Sequence, residues 1–272
     1  MLEQFLEKTE FKDYKDFFEN YKIKVPENFN FGYDVVDYLA EHNPDAKAMI
    51  WCNDNGEELT LTFKQVKERS DRAAAFMMKQ GIKRGDFVML ILQRRYEFWI
   101  TIVALHKIGA SVIPATHMLT TEDIVYRCNA AGIKHVFAVH DREIFNYIEE
   151  AQKEAPSLKN LIGVAPFGID QSLDDDFLAA HPKWQDFTRG VASVTEEDLA
   201  KFHSLKREDI SKNDDTVAEF VDKSYIDKKI ADISSSTSSY KLQMDENGVL
   251  SCVKNGNGEG FTISSDGVLS LN

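Results

Sequence analysis

The chain has little of what would place it in several common classes. Its 272 residues contain three cysteines, Cys52, Cys128 and Cys252. None belongs to a CxxC pair, so no disulfide framework or thiolate zinc site is indicated, and a reducing compartment is expected. Positive charge is in deficit. There are 32 Lys and Arg against 45 Asp and Glu, a formal net charge of −13. That argues against a nucleic-acid partner, which requires a basic face to neutralise phosphates. Long apolar runs are missing too. The longest, Phe98–Leu105, is interrupted at Thr101 and is too short to cross a bilayer, so no membrane span is expected. The first residues, Met1-Leu-Glu-Gln-Phe-Leu-Glu-Lys8, have neither a basic n-region nor an apolar h-region. No signal peptide is read there, and the cytoplasm is the expected location. The seven histidines include no HExxH, there is no GxSxG elbow, and no metal centre is expected.

What is present is a hydrophobic fraction of 43%, enough for a substantial core. Residues 1–30 carry Phe5, Phe11, Tyr14, Phe17, Phe18 and Tyr21 at near-helical spacing. They read as one or two amphipathic helices docked on the body and ended by Pro26. Leu59–Thr62 reads as a strand. Thr62 and Gln65 form a capping box for a helix whose apolar face is Phe63, Val66, Ala73, Ala74 and Met77, stopped at Gly81. Phe87–Leu92 is a continuous apolar run, the pattern of a strand buried on both faces. Then come a helix from Glu97 to Lys107 ended by Gly109, a strand at Ser111–Ile113, and a helix at Thr121–Ala131 closed by Gly132. A strand at His135–Val139, a helix capped by Asp141 and running to about Glu154, and a strand at Leu161–Val164 follow. Strands alternating with helices predict an α/β fold: a layered, mostly parallel sheet with flanking helices.

Residues 170–207 are polar and read as loop and short helix. Asp174-Asp175-Asp176 reads as a solvated face rather than a metal site, because no further ligand stands at a defined spacing. After Val217 the texture changes. A rhythm of about 3.5 residues through Phe220, Val221, Tyr225, Ile226, Ile230 and Ile233 suggests a short helix or brief coiled coil, and Ser234–Ser239 a linker. Turn signals at Asn247-Gly248 and Asp266-Gly267 separate Tyr240–Met244, Val249–Val253, Phe261–Ile263 and Val268–Leu271, a small β-hairpin tail.

Four motifs in order carry a family resemblance: Leu61-Thr-Phe-Lys-Gln-Val66, Gln93-Arg-Arg-Tyr-Glu-Phe-Trp99, Leu105-His-Lys-Ile-Gly-Ala-Ser-Val-Ile-Pro114 and Pro114–Arg127. Together they resemble the first part of an AMP-forming acyl-CoA synthetase of the adenylate-forming superfamily, acetyl- and medium-chain branch. The resemblance implies a two-step ligase reaction. A carboxylic acid attacks the α-phosphate of ATP, and CoA then displaces AMP from the acyl-adenylate. The cofactors implied are ATP, Mg²⁺ and CoA, and the partners a small carboxylic acid and CoA. Asp209–Val217 looks like the lead-in to the family's phosphate-binding loop, a Thr-Ser-Gly-Thr-Thr-Gly type run ending in Lys. No such run follows. Ser234–Ser239 has hydroxyls but no glycine to supply the positive φ such loops need.

The expected organisation is therefore an N-terminal helical segment (1–30), a partial AMP-binding synthetase domain (31–217), a helix and Ser-rich linker (218–239) and a hairpin tail (240–272). No catalytic residue is assigned. Two groups are candidates for a CoA or acyl channel. By resemblance, Thr116-His117-Met118 stand near the CoA channel, with packing as the other reading. Arg94 and Arg95 follow a buried strand at the end where open α/β sheets place ligands, with surface arginines as the other reading. The chain is expected to be a chimeric, truncated synthetase, inactive alone. The alternative is a non-catalytic binding or assembly protein with an oligomerising tail, motivated by the rhythm from Val217 and the hairpins; the tail also weakly resembles segments of phage tail-fibre proteins.

Overall fold

The apolar runs do become strands, and their order creates the candidate edge. The structure is a computed structural model that describes residues 2–141, 143–207 and 210, and the backbone of 240–244, 250–254, 260–263 and 269–271. The chain divides into two units, 1–212 and 213–272.

In the first unit, β1 (Lys47–Cys52) and β2 (Glu58–Thr62) form a separate antiparallel ribbon. β3 (Phe87–Ile91), β4 (Ser111–Pro114), β5 (His135–Val139), β6 (Asn160–Val164) and β7 (Trp184–Asp186) form a wholly parallel sheet in the order β4-β3-β5-β6-β7. The reason is the helix after each strand. α4 (Phe63–Lys79) leads into β3, and α5 (Glu97–Ile108), α6 (Thr121–Ala131) and α7 (Ile144–Ala151) are the next crossovers. Side-chain alternation splits the core into two layers. Val88, Leu90, Phe137, Val139 and Ile162 pack with α4, α5, α9 (Phe187–Ala192) and α10 (Glu196–His203). Met89, Ile91, Val136, Ala138 and Leu161 pack with α6 and α7.

Local signals fix the helix ends as expected. Thr62 and Gln65 cap α4 reciprocally, and Thr120 with Asp123 does the same for α6. Gly109 ends α5 in the left-handed region, φ 79°, where a Cβ would also stand 2.9 Å from the Ile210 carbonyl oxygen.

Four expectations need correction. The N-terminal segment has two short helices, α1 (Leu2–Phe5) and α2 (Tyr14–Asn20), tied by a Leu6–Ile23 bridge. Its aromatics pack on one another, Phe17 tilted against Tyr21 at 4.8 Å, and Tyr14 and Phe18 stay 78% and 75% exposed. They do not form a docked stripe, and α2 ends at Asn20, before Pro26. Asp141 does not cap α7. The helix begins at Ile144 after Glu143, and no side chain caps it. Residues 170–207 are more ordered than their polarity suggests, with α8 (Asp175–Ala180), β7, α9 and α10. Asp174 caps α8 by accepting from Asp176 N and Phe177 N, which gives the acidic run a helix-start role. Finally, β1 pairs antiparallel with β2 in a hairpin of which the sequence pattern marks only β2. Lys47–Cys52 alternates poorly, with only Trp51 buried.

The second unit is described as one four-stranded antiparallel sheet, β8 (Tyr240–Met244), β9 (Leu250–Lys254), β10 (Gly260–Ile263) and β11 (Leu269–Leu271), in meander order. These strands match the hairpin reading to within a residue at their ends. The helix and linker expected between 217 and 239, and the turns, lie outside the described residues.

Candidate ligand edge

The strand order places the site. β3 feeds α5 into one layer, while its neighbour β5 feeds α7 into the other. The chain therefore leaves these adjacent strands in opposite directions. The order β4-β3-β5-β6-β7 is the doubly wound 2-1-3-4-5 arrangement, whose ligand crevice opens at the carboxyl ends of the first and third strands. Here these are β3 and β5.

That crevice is spanned by a polar contact. Gln93, at φ 49°, donates from Nε2 to Asp141 Oδ2 at 2.7 Å, joining the loops after β3 and β5. A non-glycine residue at positive φ is strained and marks a position that its surroundings hold in place. Arg94 is exposed beside it, and its carbonyl accepts from Trp51 Nε1 at 2.8 Å. β4 is registered Leu90 to Pro114 against β3, and Ala115 N donates to Leu90 O. Thr116, His117 and Met118 therefore emerge at the same edge. Thr116 Oγ1 accepts from Met118 N at 3.2 Å, closing a tight turn anchored by buried Leu119. Thr116 is exposed, His117 half-buried and Met118 75% exposed, so core packing does not account for Thr116 or Met118.

Arg95 departs from both sequence readings. It is 4% exposed, neither a surface arginine nor open to a ligand. Its guanidinium makes two bonds to Glu97, at 2.6 and 3.0 Å, and donates to Gly168 O at 2.8 Å. It also lies 5.1 Å from the Trp51 ring centre. Burial pushes the Glu97 carboxyl up, and Arg95 opposes that rise only in part. Arg95 therefore fastens the loop after β6 to the start of α5. The same loop is held again through Asp170. Tyr96 donates to its Oδ1 at 3.0 Å, and Arg69 binds both carboxylate oxygens at 2.6 and 2.9 Å. The Arg69 bonds hold that carboxyl below its usual range. A cavity of about 50 Å³ beside this network has room for little more than a water or two.

Two features were not foreseen. The sequence pattern makes Asp141 a cap, and only the sheet order brings it to Gln93. The second is a buried ionic cluster. Lys107, 0% exposed on α5, lies 2.6 Å from both Asp37 Oδ1 and Asp71 Oδ1 and donates to Ser70 Oγ at 3.1 Å. Lys67 approaches the same carboxylates at 3.4 and 2.8 Å. A lysine in a nearly all-apolar helix was the available signal. Gly32 allows the lysine stem to pass, since a Cβ there would stand 2.7 Å from Lys107 Cγ.

Among the described residues no three His, Cys, Asp or Glu side chains are grouped to hold a metal ion. The polar groups on this edge are the Arg94 guanidinium, the Gln93 amide, the Asp141 carboxylate, the Thr116 hydroxyl and the His117 imidazole. No glycine-rich cradle for phosphates stands among the described residues of this edge. A larger cleft of about 620 Å³, lined by Pro26, Glu27, Asn28, Asp34, Lys206 and Arg207, shares no residue with the edge.

The strand order defines a doubly wound α/β protein with its switch point between β3 and β5. Within that class, 182 of the 272 residues, 36–217, match the model of the AMP-binding enzyme family, and the chain belongs to that family. It is similar to "Acyl-coenzyme A synthetase ACSM5, mitochondrial" of Rattus norvegicus, 34% identical over 53% of this chain and 26% of that protein. It is also similar to "Acyl-coenzyme A synthetase ACSM4, mitochondrial" of Mus musculus, 33% identical over 64% of this chain and 28% of that protein. A third relative, "Acyl-coenzyme A synthetase ACSM1, mitochondrial" of Mus musculus, is 30% identical over 62% and 28%. The chain thus spans about a quarter of the length of these curated relatives. No helix among the described residues is long and apolar enough to cross a membrane.

Proposed function

We propose that residues 31–217 are the scaffold part of an acyl-CoA synthetase, the ligase that joins a carboxylic acid to CoA with conversion of ATP to AMP and pyrophosphate. The carrying observation is the family match over 36–217 combined with a switch-point edge that presents Arg94 and the Thr116-His117-Met118 turn together. In this reading that edge contributes part of the CoA or acyl channel. Arg94 supplies charge for an anionic group, and Thr116 and His117 supply polar contacts.

The same reading holds that the 272-residue chain does not form the acyl-adenylate alone. That step needs backbone and hydroxyl groups cradling the phosphates and cations opposing the charge that develops. Between Val217 and Asn272 no Thr-Ser-Gly-Thr-Thr-Gly type run ending in lysine occurs. ATP-pyrophosphate exchange with short and medium carboxylic acids is expected at background, and turnover above it would overturn the inactivity. Equilibrium binding of CoA to the full chain tests the edge separately. Arg94→Ala with Thr116→Ala should weaken it about tenfold, as losing two polar contacts implies. Unchanged affinity removes these residues from the channel. The proposed compartment is the cytoplasm, to be checked by fractionation of the expressed chain.

A further inference from the structure

The two arginines after β3 are neighbours in sequence and opposites in burial, and one side chain touches the backbone between them. Leu92, Gln93, Arg94 and Arg95 make a tight turn, closed by Arg95 N donating to Leu92 O at 3.0 Å. Gln93 stands in it at φ 49°, a conformation that turns ordinarily give to glycine. The peptide joining Arg94 to Arg95 is pinned from both sides. Its N–H reaches Leu92 O, and its C=O accepts from Trp51 Nε1 at 2.8 Å. The Trp51 ring also lies 5.1 Å from the Arg95 guanidinium and packs edge to face with Tyr96, ring centres 5.5 Å apart. Trp51 is 9% exposed and is the one buried residue of β1. The pleat of the ribbon thus turns a single large side chain onto this turn.

We propose that Trp51 is a positioning residue for the ligand edge: its indole N–H holds the turn that presents Arg94 to an anionic ligand. The orientation of one peptide plane separates the two arginines. With the Arg94 carbonyl turned to Trp51, Arg95 lies under the indole, where Glu97 and Gly168 O meet it, and Arg94 is left exposed at the edge. A non-glycine residue at positive φ persists only where its surroundings hold it. The Trp51 bond is the hold that comes from outside the turn, from a ribbon that is no part of the parallel sheet. Without it the turn is free to relax, Gln93 can leave its strained φ, and Arg94 loses its fixed place. The proposal rests on the reading of Arg94 as a CoA contact and adds to it a role for the β1–β2 ribbon.

The test is equilibrium binding of CoA to four full-length chains: wild type, Trp51→Phe, Arg94→Ala and the double variant. Trp51→Phe keeps a ring over Arg95 and deletes the N–H. Each single variant should weaken binding about threefold, and the double variant no more than Arg94→Ala alone. Trp51→Phe should also reduce the salt dependence of binding to that of Arg94→Ala, because the same charge is withdrawn from the ligand. A purely structural tryptophan would change neither the coupling nor the salt dependence. Should Trp51→Phe not fold, NMR of the other two chains decides. CoA should shift the Trp51 indole N–H resonance in the wild type and leave it in place in Arg94→Ala. Wild-type affinity in Trp51→Phe, alongside a loss in Arg94→Ala, overturns the proposal and leaves the reading of Arg94 standing. So does a double variant weakened by the product of the single losses, about ninefold, or an indole resonance that behaves alike in both chains. Undiminished binding by Arg94→Ala, or no binding by the wild type, overturns the reading and the proposal with it.

Discussion

Replacing Lys107 by methionine keeps most of the stem's volume and deletes one buried charge. Asp37 and Asp71, 7% and 6% exposed, would be left with Lys67, and Asp71 also with His203 Nε2 at 3.4 Å. Removing one partner of a buried ion pair costs roughly 3–5 kcal/mol, because the remaining charge is stranded. For a unit of this size each kcal/mol moves the thermal midpoint by about 2–4 °C, so a fall of roughly 10 °C is expected. Tryptophan fluorescence during urea and thermal denaturation reports it, since all three tryptophans, Trp51, Trp99 and Trp184, lie in the first unit. The pH dependence is the sharper check. Burial pushes the Asp71 carboxyl up, but Lys107 and Lys67 outweigh burial and hold it below its usual range. A carboxyl depressed on folding stabilises above its unfolded pKa, near 4, and that contribution is lost as pH falls through the folded value. Asp37 has the opposite sign. Burial holds its carboxyl above the usual range despite Lys107 and Lys67, so its ionised form costs stability until it protonates. Both effects make the difference between wild type and Lys107→Met largest near pH 7 and smaller below about pH 4. A loss under about 1 kcal/mol at pH 7, within the range of ordinary surface changes, would refute the reasoning. So would a loss that persists unchanged in acid.

Arg95→Met should destabilise the first unit by roughly 3–5 kcal/mol, because Glu97 would remain buried without its partner. Hydrogen exchange should also rise in residues 168–170, which lose the bond to Gly168 O, and unchanged exchange there would mean that Arg95 does not hold the loop. Burial pushes the Cys128 thiol up to about 11, whereas Cys52 is exposed. Iodoacetamide at pH 8 followed by peptide mapping should therefore modify Cys52 in the native protein and Cys128 only after denaturation.

Much of the fold was legible because local physics and tertiary context agree. Phe87–Ile91 and His135–Val139 are apolar without alternation, as strands covered on both faces must be, and the structure buries them so. The helices α4 and α6 begin where Thr62 and Thr120 can accept from backbone N–H groups, a signal read within four residues. Errors arose where the deciding partner is distant in sequence. Asp141 has the chemistry of a cap, but its partner is Gln93, 48 residues away. Arg95 looks like its neighbour Arg94, yet Trp51, Glu97 and Gly168 enclose it. The strand β7 is only three residues long, too short for any periodicity, and it exists because β6 offers an open edge.

The candidate edge was half legible. The resemblance pointed to Thr116-His117-Met118, and the apolar run before Gln93 pointed to the end of β3. That both sit on one edge follows from parallel pairing of β3 with β4, which sequence spacing does not specify. The separation of Arg94 from Arg95 also needed three dimensions, since adjacent residues leaving a strand differ in burial only by what packs over them.

By itself the sequence determined the alternation of strands and helices, the helix caps and the family, because each is written in local pattern or in residue identity. The tertiary structure alone decided the strand order, the crevice between β3 and β5, and which charges are buried, as with Lys107 between Asp37 and Asp71. These depend on contacts between segments far apart in the chain, where folding brings groups together in a low-dielectric interior and a charge must find its partner or not be there.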